Sequence, residues 1–214
     1  GATLNKDDKE KYRKLSMDLS MLTLQFDQNA LKDKNRFELL ITDENELSGL
    51  PESARDAAAM LAKSKDKNGW LFNLSAPSYI PFMRYSDKRD LREKMYREYM
   101  SVGNKGDEFD NKDIIKKIVN IRLEIAQLMG FKNYAEYALE HTMAKNSANV
   151  YKLLNQLLEA YKPIAINEYN AVEGFALGTE KENITVMPWD WSYYSEKLRD
   201  IRFKVNDEMT RPYF

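Results

Sequence analysis

An uninterrupted helical pattern of apolar residues is the feature that most constrains the fold of this chain. Between Ser147 and Tyr161, apolar side chains recur at positions i, i+3, i+4, i+7, i+8 and i+11. Such spacing places them on one face of an α-helix. The chain has only eight glycines and six prolines among 214 residues, so we expect long elements joined by few turns. Together these features favour a mainly α fold.

Further helices are predicted at several places along the chain. Apolar residues recur every three or four positions from Lys9 to about Leu31 and again along residues 114–128. Local signals at helix ends predict a capped turn at Asp43, a helix beginning at Pro51, a left-handed residue at Gly130 and a short helix opened by Asn133 with Glu136. Pro77 and Pro81 should bracket a turn or a short helix. The helix that begins at Ser147 should kink or break at Pro163, and a polar loop should span residues 178–183.

Three further helix starts are predicted from side chains that can accept a hydrogen bond from the first turn. Ser86, Asn111 and Asp190 should each cap the helix that follows it. The alternation around Trp70 and Phe72 predicts a strand, for which Ile184 to Val186 is a weak candidate partner. The expected architecture is a multi-helix lobe with a minor β element, and no linker divides residues 1–214.

Composition excludes several classes of chemistry. The chain has no cysteine and a single histidine, His141, so it cannot by itself build a thiolate metal site or a site of several histidines. Thirty-three basic and 34 acidic residues nearly balance, so we expect no nucleic-acid partner. No apolar run reaches the roughly 18 residues of a membrane span, so we expect no membrane partner.

Three groups of residues are candidate sites, and for each of them the sequence favours a structural role over a catalytic or ligand-binding role. Glu136 and Glu140 precede His141 on one helix, where a histidine near the helix end is the ordinary interpretation. The acids between Asp107 and Asp113 do not follow the calcium-loop order and fit a solvated loop. The aromatic run at 188–197 favours packing over the wall of a ligand groove.

Several segments occur in an order that carries a resemblance. They are Leu-Ser-Gly-Leu-Pro-Glu-Ser at 47–53, Pro-Ser-Tyr-Ile-Pro-Phe-Met at 77–83, Arg89 with Leu-Arg-Glu-Lys at 91–94, Asp110-Asn111 with Ile-Ile at 114–115, Gly130-Phe131 with Tyr134-Ala135, Met-Ala-Lys at 143–145, Pro-Trp-Asp-Trp-Ser-Tyr-Tyr-Ser-Glu-Lys at 188–197 and the terminal Arg-Pro-Tyr-Phe. The chain resembles the thimet-oligopeptidase-like zinc metallopeptidases, and among them most closely the bacterial peptidyl-dipeptidases.

The resemblance implies a helix-rich, two-lobed enzyme with zinc at the floor of a deep channel. Its zinc would come from a His-Glu-x-x-His helix, whose two histidines one turn apart face one metal. That motif does not occur in these 214 residues. We therefore assign no catalytic, cofactor-binding or metal-binding residue, and we expect residues 1–214 to be a scaffold and channel-wall segment of a longer parent.

The expected parent is a zinc-dependent peptidase that releases C-terminal dipeptides from short peptides, while this segment alone would bind no zinc and be inactive. Two alternatives stay open: an oligopeptidase A-like endopeptidase as the parent, and a free-standing helical module that binds peptides or proteins. We expect a cytoplasmic parent, with periplasmic location or secretion as open alternatives. Apolar surface that faced the missing lobe should be exposed and should promote non-native dimers.

Overall fold

The computed structural model describes residues 4–179, 184–204 and 209. The described residues form helices α1 (Lys6–Arg36), α2 (Glu52–Ser64), α3 (Ala76–Tyr85), α4 (Arg89–Met100), α5 (Lys112–Leu128), α6 (Tyr134–Leu139), α7 (Ser147–Thr179) and α8 (Pro188–Phe203), a 3-10 helix (Glu44–Leu47), and strands β1 (Leu39–Ile41) and β2 (Trp70–Phe72). The predicted mainly α architecture with a minor β element is confirmed. No helix within the described residues is long and apolar enough to cross a membrane.

The chain divides into two compact units. The first unit comprises Gly1–Asp33 and Gly103–Ile164, and the second comprises Lys34–Val102 and Ala165–Phe214. The first unit therefore contains most of α1, all of α5 and α6, and the first half of α7. The second contains the two strands, α2 to α4, the second half of α7, and α8.

The second unit is built around an apolar core. Phe72 and Phe82 pack edge to face with 4.8 Å between their ring centroids, and both are almost fully buried. The core includes Leu39, Ile41, Leu47, Leu50, Ala58, Phe72, Leu74, Phe82, Met83, Met95 and Trp189. These residues come from both strands and from every helix between β1 and α4, as well as from α8, so this core joins elements that are far apart in sequence.

The small sheet corrects the predicted strand partner. Strand β2 forms where alternation predicted it, but it pairs antiparallel with β1, with Leu39 opposite Phe72 and Ile41 opposite Trp70. Leu39 and Ile41 face the core while Leu40 between them is 40% exposed, so β1 offers one apolar face in register with β2. The proposed partner, Ile184 to Val186, instead packs against a second apolar cluster around Val172 and Tyr194.

The interior prolines do not end their helices. The break alternative at Pro163 is wrong, because α7 runs through this proline to Thr179. Residues 78–80 are helical, as the short-helix alternative predicted, but the two prolines do not bracket that helix, because α3 runs from Ala76 through Pro81 to Tyr85. A proline removes one N–H donor and crowds one carbonyl, so its effect is limited to the preceding turn. Gly178 and Thr179, which were predicted to lie in a loop, still belong to α7, and the rest of that predicted loop, residues 180–183, lies outside the described residues.

Local capping signals were mostly correct. Asp43 accepts a hydrogen bond from the Asn45 N–H, Gly130 has a φ of +86°, and Asn133 accepts from the Glu136 N–H at 2.9 Å. Pro51 lies at the N-cap of α2, one position before the predicted start.

Three predicted caps differ in the structure. Ser86 closes α3, whereas Lys88 is the N-cap of α4. Asn111 occupies the N-cap of α5, but its side chain bonds to α1 instead of to its own helix. Asp190 lies inside the first turn of α8, where Met187 is the N-cap. In each case a tertiary partner or a neighbouring residue outcompetes the local cap.

The first unit is held by polar contacts near one end of α1 and α5. Asn29 donates to the side-chain oxygen of Asn111 at 3.1 Å, and Asn111 donates to the carbonyl of Phe26 at 3.0 Å. Asp33 accepts from the Gly103 N–H at 2.7 Å and also pairs with Lys105. Gly103 has a φ of +71°, and a Cβ there would lie 3.0 Å from the Asn111 amide nitrogen, so this close approach favours glycine.

Candidate functional site

The most densely connected polar group of the second unit is an ion cluster formed by Arg89, Arg92 and Asp190. Arg89 contacts Asp190 at 2.7 Å, and Arg92 contacts the other carboxylate oxygen at 2.9 Å. The side chains of Arg92 and Asp190 are 1% and 0% exposed. Arg92 also donates to the carbonyls of Ser86 and Trp189. The cluster therefore fastens α4 to the start of α8.

The electrostatics of this ion cluster favour a permanently charged carboxylate. Burial alone raises the pKa of Asp190, but hydrogen bonds from Arg89, the Met187 N–H and Arg92 outweigh that effect and leave the pKa below its ordinary value. A carboxylate that accepts several charged and backbone donors holds no proton near neutral pH and has little capacity left for a substrate. The arrangement is suited to positioning α8 and not to acid–base chemistry.

A second polar network surrounds Tyr193 on α8. Its hydroxyl donates to Asp87 at 2.7 Å, and Ser48 donates to the other oxygen of Asp87 at 2.7 Å. Arg92 lies over the Tyr193 ring at 4.0 Å and Lys197 at 4.6 Å from the ring centroid. Burial raises the pKa of Asp87, but the bonds from Ser48 and Tyr193 and the charge of Lys197 bring it below its ordinary value.

This network borders a polar cleft of about 290 Å³. Its lining residues are Gly49, Arg84, Tyr85, Asp87, Glu196, Lys197 and Asp200. Two of the three acidic residues of the lining have basic or hydroxyl partners: Asp87 pairs with Lys197, and Glu196 accepts from Tyr85 and Arg199. These contacts occupy the carboxylates of Asp87 and Glu196, so we assign neither of them a catalytic role.

The aromatic segment on α8 is mainly a packing element, as its spacing predicted. Trp189, Tyr193 and Tyr194 are buried. Trp191 is 37% exposed and stacks on Tyr169 of α7, with ring centroids 5.7 Å apart and an interplanar angle of 7°. Trp191 also lines a shallow groove of about 220 Å³ between α7 and α8, together with Val172, Ser195, Leu198, Arg199 and Phe203.

The donor set of the described residues does not fit a zinc ion. Residues 4–179, 184–204 and 209 contain no group of three or more histidine, cysteine or acidic side chains that could hold a metal ion. The His141 side chain is 90% exposed and lies 3.4 Å from the Glu140 carboxylate. The Glu136 side chain accepts from the Asn133 side-chain amide and from the Lys132 N–H, so it contributes to the start of α6.

The acidic loop before α5 organises its own backbone. Asp110 accepts from the Gly106 N–H at 2.7 Å and from the Lys112 N–H at 2.9 Å. Hydrogen bonds from the Lys112 side chain and backbone bring the pKa of Asp110 to about 2. Asp107 accepts from the Phe109 N–H, and Asp113 pairs with Lys116 at the surface. These contacts agree with a solvated loop leading into a helix.

The ion cluster was the important residue group that the sequence interpretation missed. Its partners lie about one hundred positions apart, since Arg92 and Asp190 are separated by 98 residues. A signal does exist: Arg92 lies three positions before the buried Met95 on α4, so it occupies a core-facing position. Arginine is almost never fully buried without a partner. A charged residue on an apolar helix face therefore predicts a buried counter-ion.

Comparison with known proteins identifies the family. The model of Peptidase family M3 matches residues 82–214, which is more than half of the chain. This chain belongs to Peptidase family M3. The matched region of the M3 chain includes α4 and α8, and thus all three members of the ion cluster.

The curated relatives of this M3 chain are much longer than it is. Oligopeptidase A of Haemophilus influenzae is 39% identical over 220 residues, and that of Escherichia coli is 37% identical over 221 residues. Dipeptidyl carboxypeptidase of Escherichia coli is 29% identical over 215 residues. Each match covers 100% of this chain but only 31% or 32% of the relative, so the chain spans about a third of their length.

The resemblance to the thimet-oligopeptidase-like peptidases is confirmed, and the comparison refines the subgroup. The expectation placed the chain nearest the peptidyl-dipeptidases. Dipeptidyl carboxypeptidase is indeed a relative, but the oligopeptidase A sequences are more similar, at 37% to 39% identity against 29%.

Proposed function

We propose that this chain is a non-catalytic scaffold segment of a zinc-dependent M3 peptidase that cleaves short peptides. The match to Peptidase family M3 carries the proposal. The segment would contribute helices and part of the channel wall, while the zinc ligands and the general base would come from elsewhere in the parent. The chemistry that zinc would supply there is the activation of a water molecule for hydrolysis of the peptide bond.

The inventory of residues supports a scaffold role. The chain has one histidine and no His-Glu-x-x-His sequence, and the buried Arg92 and Asp190 are paired with each other in the ion cluster. A hydrolytic zinc site needs three protein ligands and an open position for water. The residues of this segment supply no such set, so we place no catalytic step on any of them.

Two measurements on the 214-residue chain test this role. Metal analysis of the purified chain should find no stoichiometric zinc, and incubation with a blocked tripeptide should give no turnover. As a positive control, the complete zinc-bound enzyme of a relative should cleave the same peptide. Tightly held zinc together with cleavage by the chain alone would contradict the proposal.

For the parent, we propose action on oligopeptides, in keeping with the name of the more similar relatives, oligopeptidase A. Release of C-terminal dipeptides is the second candidate, because a dipeptidyl carboxypeptidase also matches the entire chain. Product analysis by mass spectrometry separates the two. Internal fragments favour the first activity, and successive losses of dipeptides favour the second.

A free-standing helical module that binds peptides or proteins is the alternative of a different class. The observation in its favour is the large apolar surface exposed on α1 and α7. The source reading frame distinguishes the two proposals. Continuation into a His-Glu-x-x-His sequence supports the peptidase segment, and a stop codon directly after Phe214 supports the module.

We further propose a cytoplasmic location for the parent. One relative, from Arabidopsis thaliana, is named probable cytosolic oligopeptidase A. Another from the same organism is named as organellar, so location varies among the relatives. Fractionation of the source cells, with the parent detected by an antibody against this segment, tests the proposal. Recovery in a periplasmic or secreted fraction would contradict it.

A further inference from the structure

The first half of α7 has an unusual surface for a helix of this composition. Every residue from Tyr151 to Ile164 is exposed. This stretch nevertheless carries a regular row of large apolar side chains, which we call the α7 stripe: Leu153, Leu154, Leu157, Leu158, Tyr161 and Ile164. Their exposed fractions range from 43% to 61%.

A helix of this kind is poorly stabilised without a partner. Most helix stability in proteins comes from packing of an apolar face, and the first half of α7 has its apolar face exposed. Contiguous exposed apolar surface of this kind marks an interaction site in a soluble protein. The spacing of the α7 stripe provides the ridges into which a second helix can pack.

Charge on the helix argues for a protein partner and against a lipid surface. Lys152, Glu159 and Lys162 carry both signs within the same stretch, so the polar side is not the basic face that anionic membranes attract. The opposite side of the helix, where Lys152, Asn155 and Glu159 lie, is polar and suited to water. The partner should therefore cover one side of α7 with an apolar helical face.

The length of the relatives indicates which protein supplies that face. The M3 relatives are about three times as long as this chain, and they match it from end to end. The segments of those relatives that this chain does not match provide a covalently linked partner at high effective concentration. We propose that the α7 stripe is the surface on which an apolar helix from another segment of the M3 peptidase packs. This inference depends on the proposed function.

Chemical labelling in the complete peptidase tests the proposal without relying on activity. The chain has no cysteine of its own, so Leu157→Cys introduces a single thiol into the α7 stripe and Asn155→Cys introduces one on the polar side. Each variant is treated with a maleimide, both as the 214-residue chain and within the complete peptidase. Peptide mapping assigns the label to position 157 or 155.

In the chain alone, at low concentration, both thiols should react at similar rates. In the complete peptidase, the thiol at 157 should react at least about tenfold more slowly than the thiol at 155, because modification of a covered side chain requires local opening. Equal rates in the complete peptidase would overturn the proposal. Protection that disappears on dilution would also overturn it, because it would assign the α7 stripe to a second copy.

Hydrogen exchange of the unsubstituted proteins provides a second measurement. Amides 153–161 should be at least about tenfold better protected in the complete peptidase than in the chain alone. Failure of the labelling test is distinguishable from failure of the proposed function. A reading frame without the zinc motif removes the peptidase proposal, whereas an unprotected stripe in an active peptidase removes only this inference.

Discussion

The two units of this chain use similar amphipathic helices with opposite results. Met95 on α4 in the second unit is completely buried, whereas Met21 on α1 in the first unit is 67% exposed. Both lie on regular apolar rows of their helices. The second unit surrounds its rows with strands and helices from distant parts of the sequence. Among the described residues the first unit buries fewer apolar side chains, such as Ile114, Ile118 and Ile125 of α5, and polar side chains near Asn111 and Asp33 also join its helices. Amphipathicity identifies a helix, and its neighbours decide whether the face is buried.

Removal of the Asp190 carboxylate from the ion cluster should produce the largest loss of unfolding free energy. Asp190→Ala leaves Arg92 buried without its counter-ion, which typically costs about 4 kcal/mol of unfolding free energy. Denaturant unfolding followed by circular dichroism measures the change. The matched control is Asp113→Ala in the first unit. Asp113 forms an ion pair with Lys116, but the two side chains are 83% and 75% exposed, so this pair should contribute at most about 1 kcal/mol. Equal losses of unfolding free energy in Asp190→Ala and Asp113→Ala would contradict the larger contribution that we assign to the buried ion cluster.

The same carboxylate predicts how the second unit responds to acid. The folded-state pKa of Asp190 lies below its ordinary value, so the carboxylate stabilises the native state above the unfolded pKa of about 3.9. This contribution is lost as pH falls through the lower folded-state pKa. The difference in unfolding free energy between the native sequence and Asp190→Asn should therefore stay constant from neutral pH to about pH 5 and shrink below about pH 4. If this difference in unfolding free energy grew on acidification, the folded-state pKa of Asp190 would have to lie above its ordinary value, contrary to the prediction.

Truncation of the two methionines sharpens the comparison directly. Met95→Ala creates a cavity in the core and should lower the unfolding free energy by about 3 kcal/mol. Met21→Ala removes the same atoms from an exposed position and should change it by less than about 0.5 kcal/mol. Both values come from the same denaturant titration. A large loss for Met21→Ala would mean that the α1 face is covered in solution.

Local signals explain which parts of the fold could be predicted from the sequence. The caps at Asp43 and Asn133 and the left-handed Gly130 depend only on residues within one turn, and all three were correct. The partner of β2 was wrong because pairing depends on which face of a short strand meets the core, and Leu39 to Ile41 shows little alternation in sequence.

The site was harder to predict than the helices. The counts of histidine and cysteine support the prediction that this segment has no complete catalytic set, and that argument needs composition alone. The ion cluster depends on Arg89 and Asp190 meeting across 101 positions, and the sequence assigned Asp190 a capping role instead. Asp190 does accept from the Met187 N–H, but it does so from the first turn of α8 back to the N-cap, and not as the N-cap that the sequence predicted.

Asn111 tests the polar junction that holds the first unit together. Asn111→Ala removes the hydrogen bonds to Asn29 and to the Phe26 carbonyl, and it leaves the 8% exposed Asn29 without this partner. Loss of a buried hydrogen-bond partner costs about 2 kcal/mol. Asn104→Ala is the control, because Asn104 is exposed and contacts only the end of Lys112. The two variants should differ by about 1 to 2 kcal/mol in denaturant unfolding, and no difference would place the stability of this unit elsewhere.

The weakest expected effect is self-association of the 214-residue chain through its uncovered apolar faces. Sedimentation velocity should show an average mass that rises with concentration, because pairing of two α7 stripes removes leucine side chains from water. A double variant, Leu154→Lys with Leu157→Lys, should abolish that rise, since it places like charges on both surfaces of such a dimer. The control variant, Asn155→Lys with Gln156→Lys, adds the same charge outside the row of leucines and should leave the association in place. A monomer at every concentration would contradict the prediction, and loss of association in the control as well would attribute it to net charge instead of to the stripe.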